Sequence, residues 1–127
     1  MPWEVKHLPD KEVVVLICSG RFSSNDAREQ AEEVIHLLKE NKATRVLLDY
    51  SNAIGEVPIV DLFYLPEHYD KLGAPKNARV ALVLPRTGHR LEDYGFYETV
   101  CRNKGYNCTL FRSHQGALKW LEQGKTA

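Results

Sequence analysis

The chain is short of the features that staple, anchor or charge a protein. It has three cysteines, Cys18, Cys101 and Cys108. Their number is odd and no pair has Cys-x-x-Cys spacing, which argues against a disulfide framework and against a cysteine zinc site. Reduced thiols in a cytoplasmic protein are the expectation. No apolar run approaches the roughly 18 residues needed to span a bilayer, so no membrane span is expected. The opening "MPWEVKHLPDKE" lacks the apolar stretch of a secretory signal. Net charge is also missing, with 17 Lys and Arg against 17 Asp and Glu. Nonspecific nucleic-acid binding usually needs a clearly basic domain, so no nucleic-acid partner is expected. The charge is uneven along the chain: residues 1–63 hold 7 basic and 11 acidic residues, residues 64–127 hold 10 and 6.

Catalytic signatures are missing as well. There is no Gly-x-Ser-x-Gly elbow, Walker loop or Gly-x-Gly-x-x-Gly turn. The five histidines are scattered without His-x-x-x-His or His-Glu spacing, so neither a metal site nor a cofactor is expected. A response-regulator receiver would need an acidic pair after its first parallel strand, where this chain has "CSGR". "LPRTG" at 84–88 fits the cell-wall sorting pattern without its position or apolar tail. "NCT" at Asn107 is a glycosylation sequon inside a predicted strand. Both read as coincidence, and no enzyme is expected.

What remains is an ordinary globular composition, 43% hydrophobic and 27% charged over 127 residues. That length suits one domain, residues 1–127, with a core of its own. Residues 3–8 and 12–18 read as strands joined by a Pro9-Asp10 turn, an antiparallel hairpin. "EVVVLIC" is almost continuously apolar, as in a strand covered on both faces. "SGRFSSN" reads as a loop. A helix is predicted from Asp26, which has capping-box spacing with Glu29. Ala27, Ala31, Val34, Ile35 and Leu38 form its apolar face, and Asn41-Lys42 ends it. His36 is expected at its surface.

Residues 44–50 read as the third strand and "SNAIGEV" as the following loop. Pro58 suits the first position of a helix, with Ile59, Leu62 and Phe63 as its apolar face and a kink or break at Pro66. "ARVALVLP" is a fourth strand. A helix from about Glu92 to Lys104 follows, with Phe96, Val100 and Cys101 inward and Gly105 as its stop. "YNCTLF" is the fifth strand, and Ser113 caps a last helix carrying Ala117, Leu118 and Leu121. The order β-β-α-β-α-β-α-β-α predicts an α/β fold with a five-stranded, mostly parallel sheet and an antiparallel edge strand.

Three stretches carry a family resemblance: "CSGRFSSNDAREQAEEV", "RVLLDYSNAIGEVPIVDL" and "CTLFRSHQGALKWLE". They place a Gly before the first long helix, a Leu-Asp-x-Ser strand end before the next, and a Ser-capped Ala-Leu…Trp-Leu ending. In this order and spacing the chain resembles the STAS domain, the module shared by sulfate transporters and anti-sigma-factor antagonists, over nearly its whole length. Small stand-alone bacterial members of that anti-sigma-factor-antagonist-like fold are the nearest type. The resemblance implies a protein-interaction or regulatory role. In phospho-regulated antagonists a Ser or Thr opens the second long helix, about nine residues after the strand Asp. Here Pro58 stands there, preceded by Val57, so the kinase-controlled switch does not carry over. Ser51 then reads as a turn-forming serine.

Two groups of candidate binding residues emerge. Arg86, Thr87, Gly88, His89 and Arg90 follow the fourth strand and precede a helix, where free N–H groups and forked Arg donors suit an anion or an acidic partner. Asp49 and Ser51 end a strand on the same side of the sheet, where such folds bind ligands. The second group is aromatic: Phe63, Tyr64, Tyr94 and Tyr97, with Tyr69 and Phe96 beside them. It reads as core packing, or as the lining of an apolar pocket or a partner face. The sequence therefore favours a non-enzymatic interaction module with a protein partner. The alternative is a binder of an apolar or anionic small metabolite. The oligomeric state stays open, a homodimer included.

Overall fold

The computed structural model describes residues 2–85 and 91–123. The elements are β1 (Trp3–Leu8), β2 (Val13–Ser23), α1 (Ser24–Asn41), β3 (Arg45–Glu56), α2 (Ile59–Lys71), β4 (Arg79–Val83), α3 (Leu91–Asn103), β5 (Asn107–Phe111) and α4 (His114–Gln123). The five strands are ordered β1-β2-β3-β4-β5. β1 pairs antiparallel with β2, and every other pair is parallel. The expected α/β architecture and its antiparallel edge strand are therefore present.

Consecutive right-handed crossovers between neighbouring strands put their helices on one face. α1, α2 and α3 accordingly share a face, packed on Val14, Leu16, Val46 and Leu82 in the larger core. Side chains alternate along each strand. The odd-numbered residues Val13, Val15, Leu47, Ala81 and Val83 therefore meet the other helix, α4, through Ala117 and Leu121 in a second core.

Both strand–helix junctions differ from the sequence expectation in the same way. "SGRFS" and "SNAIGE", read as loops, are strand. Beyond an irregularity between Ile17 and Ser19, they pair with each other in parallel from Ser19↔Asn52 to Ser23↔Glu56. Each segment alone is rich in turn-formers, but each supplies the other's backbone partners. The two strands thus run on past the end of β4 as a ribbon. Phe22 and Ala53 of this ribbon are buried. Ser51 consequently lies within β3 and forms no turn.

α1 opens three residues earlier than expected. Ser23 is the N-cap, its Oγ accepting from the Asp26 N–H, while Asp26 accepts from the Ser23 N–H. The capping box is thus Ser23 with Asp26 and not the expected Asp26 with Glu29, and Asp26 stands at the third helical position instead of at the cap. In α2, Pro58 is the N-cap, and the helix runs through Pro66 without a break. Its apolar face is also rotated from the expected one. Leu65 and Pro66 are buried, whereas Ile59 and Phe63 are 48% and 49% exposed. α3 is offset likewise: Tyr97, Val100 and Cys101 are buried, and Phe96 is exposed.

Candidate functional site

Three places on the fold gather chemistry. The first lies within β3, beside the carboxyl end of β4, on the α4 face. Asp49 is a buried carboxylate. Its Oδ1 accepts from the Ser51 N–H at 2.9 Å and from the Ser51 hydroxyl at 2.7 Å. Its Oδ2 lies 2.8 Å from His114 Nδ1. Burial pushes the Asp49 pKa up, but the bonds from His114 and Ser51 and the charge of a protonated His114 outweigh it, and the net shift is downward. Ser113 caps α4 by accepting from the Gly116 N–H, which sets His114 on the first turn, facing β3.

The sequence reading singled out Asp49 and Ser51 but missed His114, which is 65 positions from Asp49 and shares no motif with it. Only the packing of α4 across the sheet joins them. The cluster puts the Ser51 hydroxyl against the carboxylate and not the imidazole. Arg86, Thr87, Gly88, His89 and Arg90, expected beside this strand end, lie outside the described residues.

The second place is the outer surface of α2 and α3. The four aromatic candidates divide here. Phe63 and Tyr64 face outward, about half exposed, in an edge-on contact of 5.1 Å. Phe63 also stacks on Phe96 of α3 at 6.3 Å. Ile59 and Val60, 48% and 56% exposed, extend the patch along α2. Large apolar side chains grouped on a surface, unlike scattered ones, mark interaction sites. Periodicity alone could not show which side of α2 faces water, because Ile59, Val60, Leu62, Phe63 and Leu65 make the helix apolar nearly all round.

Tyr94 and Tyr97, the other two candidates, face inward to the third place. A cavity of about 110 Å³ lies between α1, α2, α3 and the sheet, lined by Val34, Leu65, Leu82, Tyr69, Tyr94 and Tyr97 among others. The ribbon closes one end through Phe22 and Gly55. A Cβ on Gly55 would stand 3.0 Å from the Tyr94 hydroxyl and 3.1 Å from Phe22, so a side chain there would make both rings give by a few tenths of an ångström. Two hydrogen-bonded groups border the space. Tyr50 donates to Gln30 at 2.8 Å, and the hydroxyls of Tyr69 and Tyr97 are 2.7 Å apart. Burial holds Tyr69 and Tyr97 protonated, and it pushes Tyr94 up to about 12.

Among the described residues, no three His, Cys, Asp or Glu side chains gather as a metal ion would require. No described helix is long and apolar enough to cross a membrane.

No protein-family model matches the chain, and no curated protein matches it. Solved structures do. The unphosphorylated form of the anti-sigma-factor antagonist SpoIIAA aligns over 98% of this chain and 99% of its own, with a TM-score of 0.55 and 8% identity. An uncharacterised protein of the DUF3478 family with a SpoIIAA-like fold, from Shewanella loihica PV-4, aligns over 94% and 91%, with a TM-score of 0.56 and 17% identity. The chain therefore has a STAS-like, SpoIIAA-like α/β fold. At these identities the likeness is one of fold.

Proposed function

We propose that the protein is a non-enzymatic interaction module that binds a protein partner through the outer face of α2 and the adjoining part of α3. The observation that carries this reading is the exposed set Ile59, Val60, Phe63, Tyr64 and Phe96. These side chains leave water when a complementary surface covers them, at roughly 25 cal/mol per Å² of apolar area. Aromatic anchors of this kind dominate binding energy at interfaces. The Arg86-to-Arg90 segment, next in the chain after β4, is the second proposed contact, suited to acidic groups on the same partner. The likeness to an anti-sigma-factor antagonist supports an interaction role through the fold.

The test is a pair of substitutions on the patch. Phe63→Asp with Tyr64→Ala leaves the urea midpoint near that of the wild type, because exposed positions usually change stability by only about ±0.5 kcal/mol. A partner captured by the wild type and identified by mass spectrometry loses at least tenfold in affinity, since anchor truncations typically cost about 2 kcal/mol or more. Sedimentation of the isolated chain shows whether that partner is a second copy. Equal binding by wild type and variant would remove the patch from the interface.

The interaction also differs from a phospho-switch at the start of the second helix. Residues 52–62 contain no Ser, Thr or Tyr, and the Ser24 hydroxyl, at the start of α1, donates to Asp61 of α2 at 2.6 Å. Treatment with a serine kinase therefore leaves partner binding unchanged. A loss of binding on treatment, with phosphate mapped to Ser24 or Ser51, would instead show a switch relocated to one of those serines.

A further inference from the structure

The cavity behind α2 is separate from the outer patch, and its chemistry is specific. Its described lining has no Lys or Arg, and its one charged side chain is Asp93. A carboxylate or phosphate entering it would meet no counter-charge, and burying an unpaired charge is strongly unfavourable. The space is partly open to the surface and in the size class of apolar cavities that take up benzene-sized molecules. Its apolar walls have no protein contacts on the side facing the space, so an occupant of the right shape gains them.

The polar element is the Tyr69–Tyr97 pair. Two hydroxyls bring two protons, and the pair uses one of them in its single bond. Either hydroxyl can be the donor, so the proton left over sits on Tyr97, 4% exposed, or on the half-buried Tyr69. Burial raises the pKa of both groups, which keeps them as donors at any physiological pH. Tyr50 differs, because its proton is spent on Gln30 and the Gln30 amide is turned to Cys18. A buried donor without an acceptor is costly to leave in an apolar space.

We infer that this cavity is a binding site for a small, uncharged, apolar molecule carrying one hydrogen-bond acceptor, which sits on the spare proton of the Tyr69–Tyr97 pair. Of the two ligand classes that the sequence left open, this selects the apolar one and rejects the anionic one at this site. The occupant is held between Val34 of α1, Leu65 of α2 and Leu82 of β4, with its acceptor toward the tyrosines.

The experiment uses three probes of similar size: cyclopentanone, its hydrocarbon isostere methylenecyclopentane, and cyclopentanecarboxylate. Titration is followed on the methyl NMR signals of Leu16, Val34, Leu65 and Leu82. Both neutral probes shift these signals in the wild-type protein and the carboxylate does not. Tyr69→Phe and Tyr97→Phe each leave one hydroxyl with a free proton, so either alone keeps cyclopentanone within about threefold. The double variant weakens cyclopentanone about tenfold and leaves methylenecyclopentane unchanged, because only the ketone loses its donor. Should the double variant not fold, Ala31→Leu fills the cavity from α1 and abolishes binding of both neutral probes. The inference fails if the lining methyls do not respond to either neutral probe up to its solubility. It fails equally if the double variant holds the ketone as tightly as the wild type does, if Ala31→Leu leaves binding intact, or if the carboxylate binds as tightly as the ketone.

Discussion

Leu121→Ala lowers the stability of the protein by about 2–5 kcal/mol, the range for emptying a large side chain from a packed core. Leu121 is completely buried. It belongs to the smaller core, where Ala117 and Leu121 of α4 close over Val13, Val15, Leu47, Ala81 and Val83. Among the described residues α4 is the one helix in that core, and it spans only ten residues, His114–Gln123. An isolated helix of that length is marginal in water, so α4 depends on this packing. Little else can move in to fill the space, because its neighbours are strand residues fixed by the ladders on both sides. The expected cost therefore lies in the upper half of the range. A urea midpoint shift checks it, with the slope unchanged if unfolding remains two-state. A midpoint equal to that of the wild type would place the face of α4 in solvent and remove the second core.

This core was legible in the sequence, and the reason is physical. Strands covered on both faces must be apolar at every position, so "EVVVLIC" and "ARVALVLP" stood out, and the Ser113 cap fixed the phase of Ala117 and Leu121. The ribbon beyond Ile17 and Asp49 was not legible. Ser19, Gly20, Ser51, Asn52 and Gly55 are turn-formers taken singly, and the pairing that makes them strand is a contact about 33 residues apart in sequence. The facing of α2 was hidden for the opposite reason, an excess of apolar residues. Burial would normally explain such a surplus. Here part of it, at Ile59, Val60, Phe63 and Tyr64, is left in water, and it is this part that the proposed function uses. The candidate site was legible at Asp49 and Ser51 because the apolar run of the strand gives way to polar residues there, a local feature, although β3 itself continues to Glu56. It was illegible at His114 because the contact exists only once α4 has crossed the sheet.

That contact sets the second large effect, which depends on pH. Asp49→Ala costs about 2 kcal/mol at pH 7, the scale of hydrogen bonds to a charged group. The substitution strips Ser51 and His114 of their shared acceptor. Asp49→Asn keeps the shape and one oxygen but loses the charge and costs less. The sign of the pH dependence follows from the direction of the pKa shift. The folded protein holds the Asp49 carboxyl below its ordinary value of 3.8. The unfolded chain therefore takes up a proton first as the pH falls, and acid favours unfolding. The stabilisation from Asp49 is complete above the unfolded pKa of about 4 and is lost as the pH drops through the folded value. Wild type and Asp49→Ala should thus differ at about pH 5 and above and converge as the pH falls below about 4. Urea titrations of both proteins across that range measure the difference directly. A gap that persists undiminished down to pH 2 would mean that Asp49 acts by its shape and not by its charge. The Asp49–His114 contact would then be a steric seat for α4 and no ion pair.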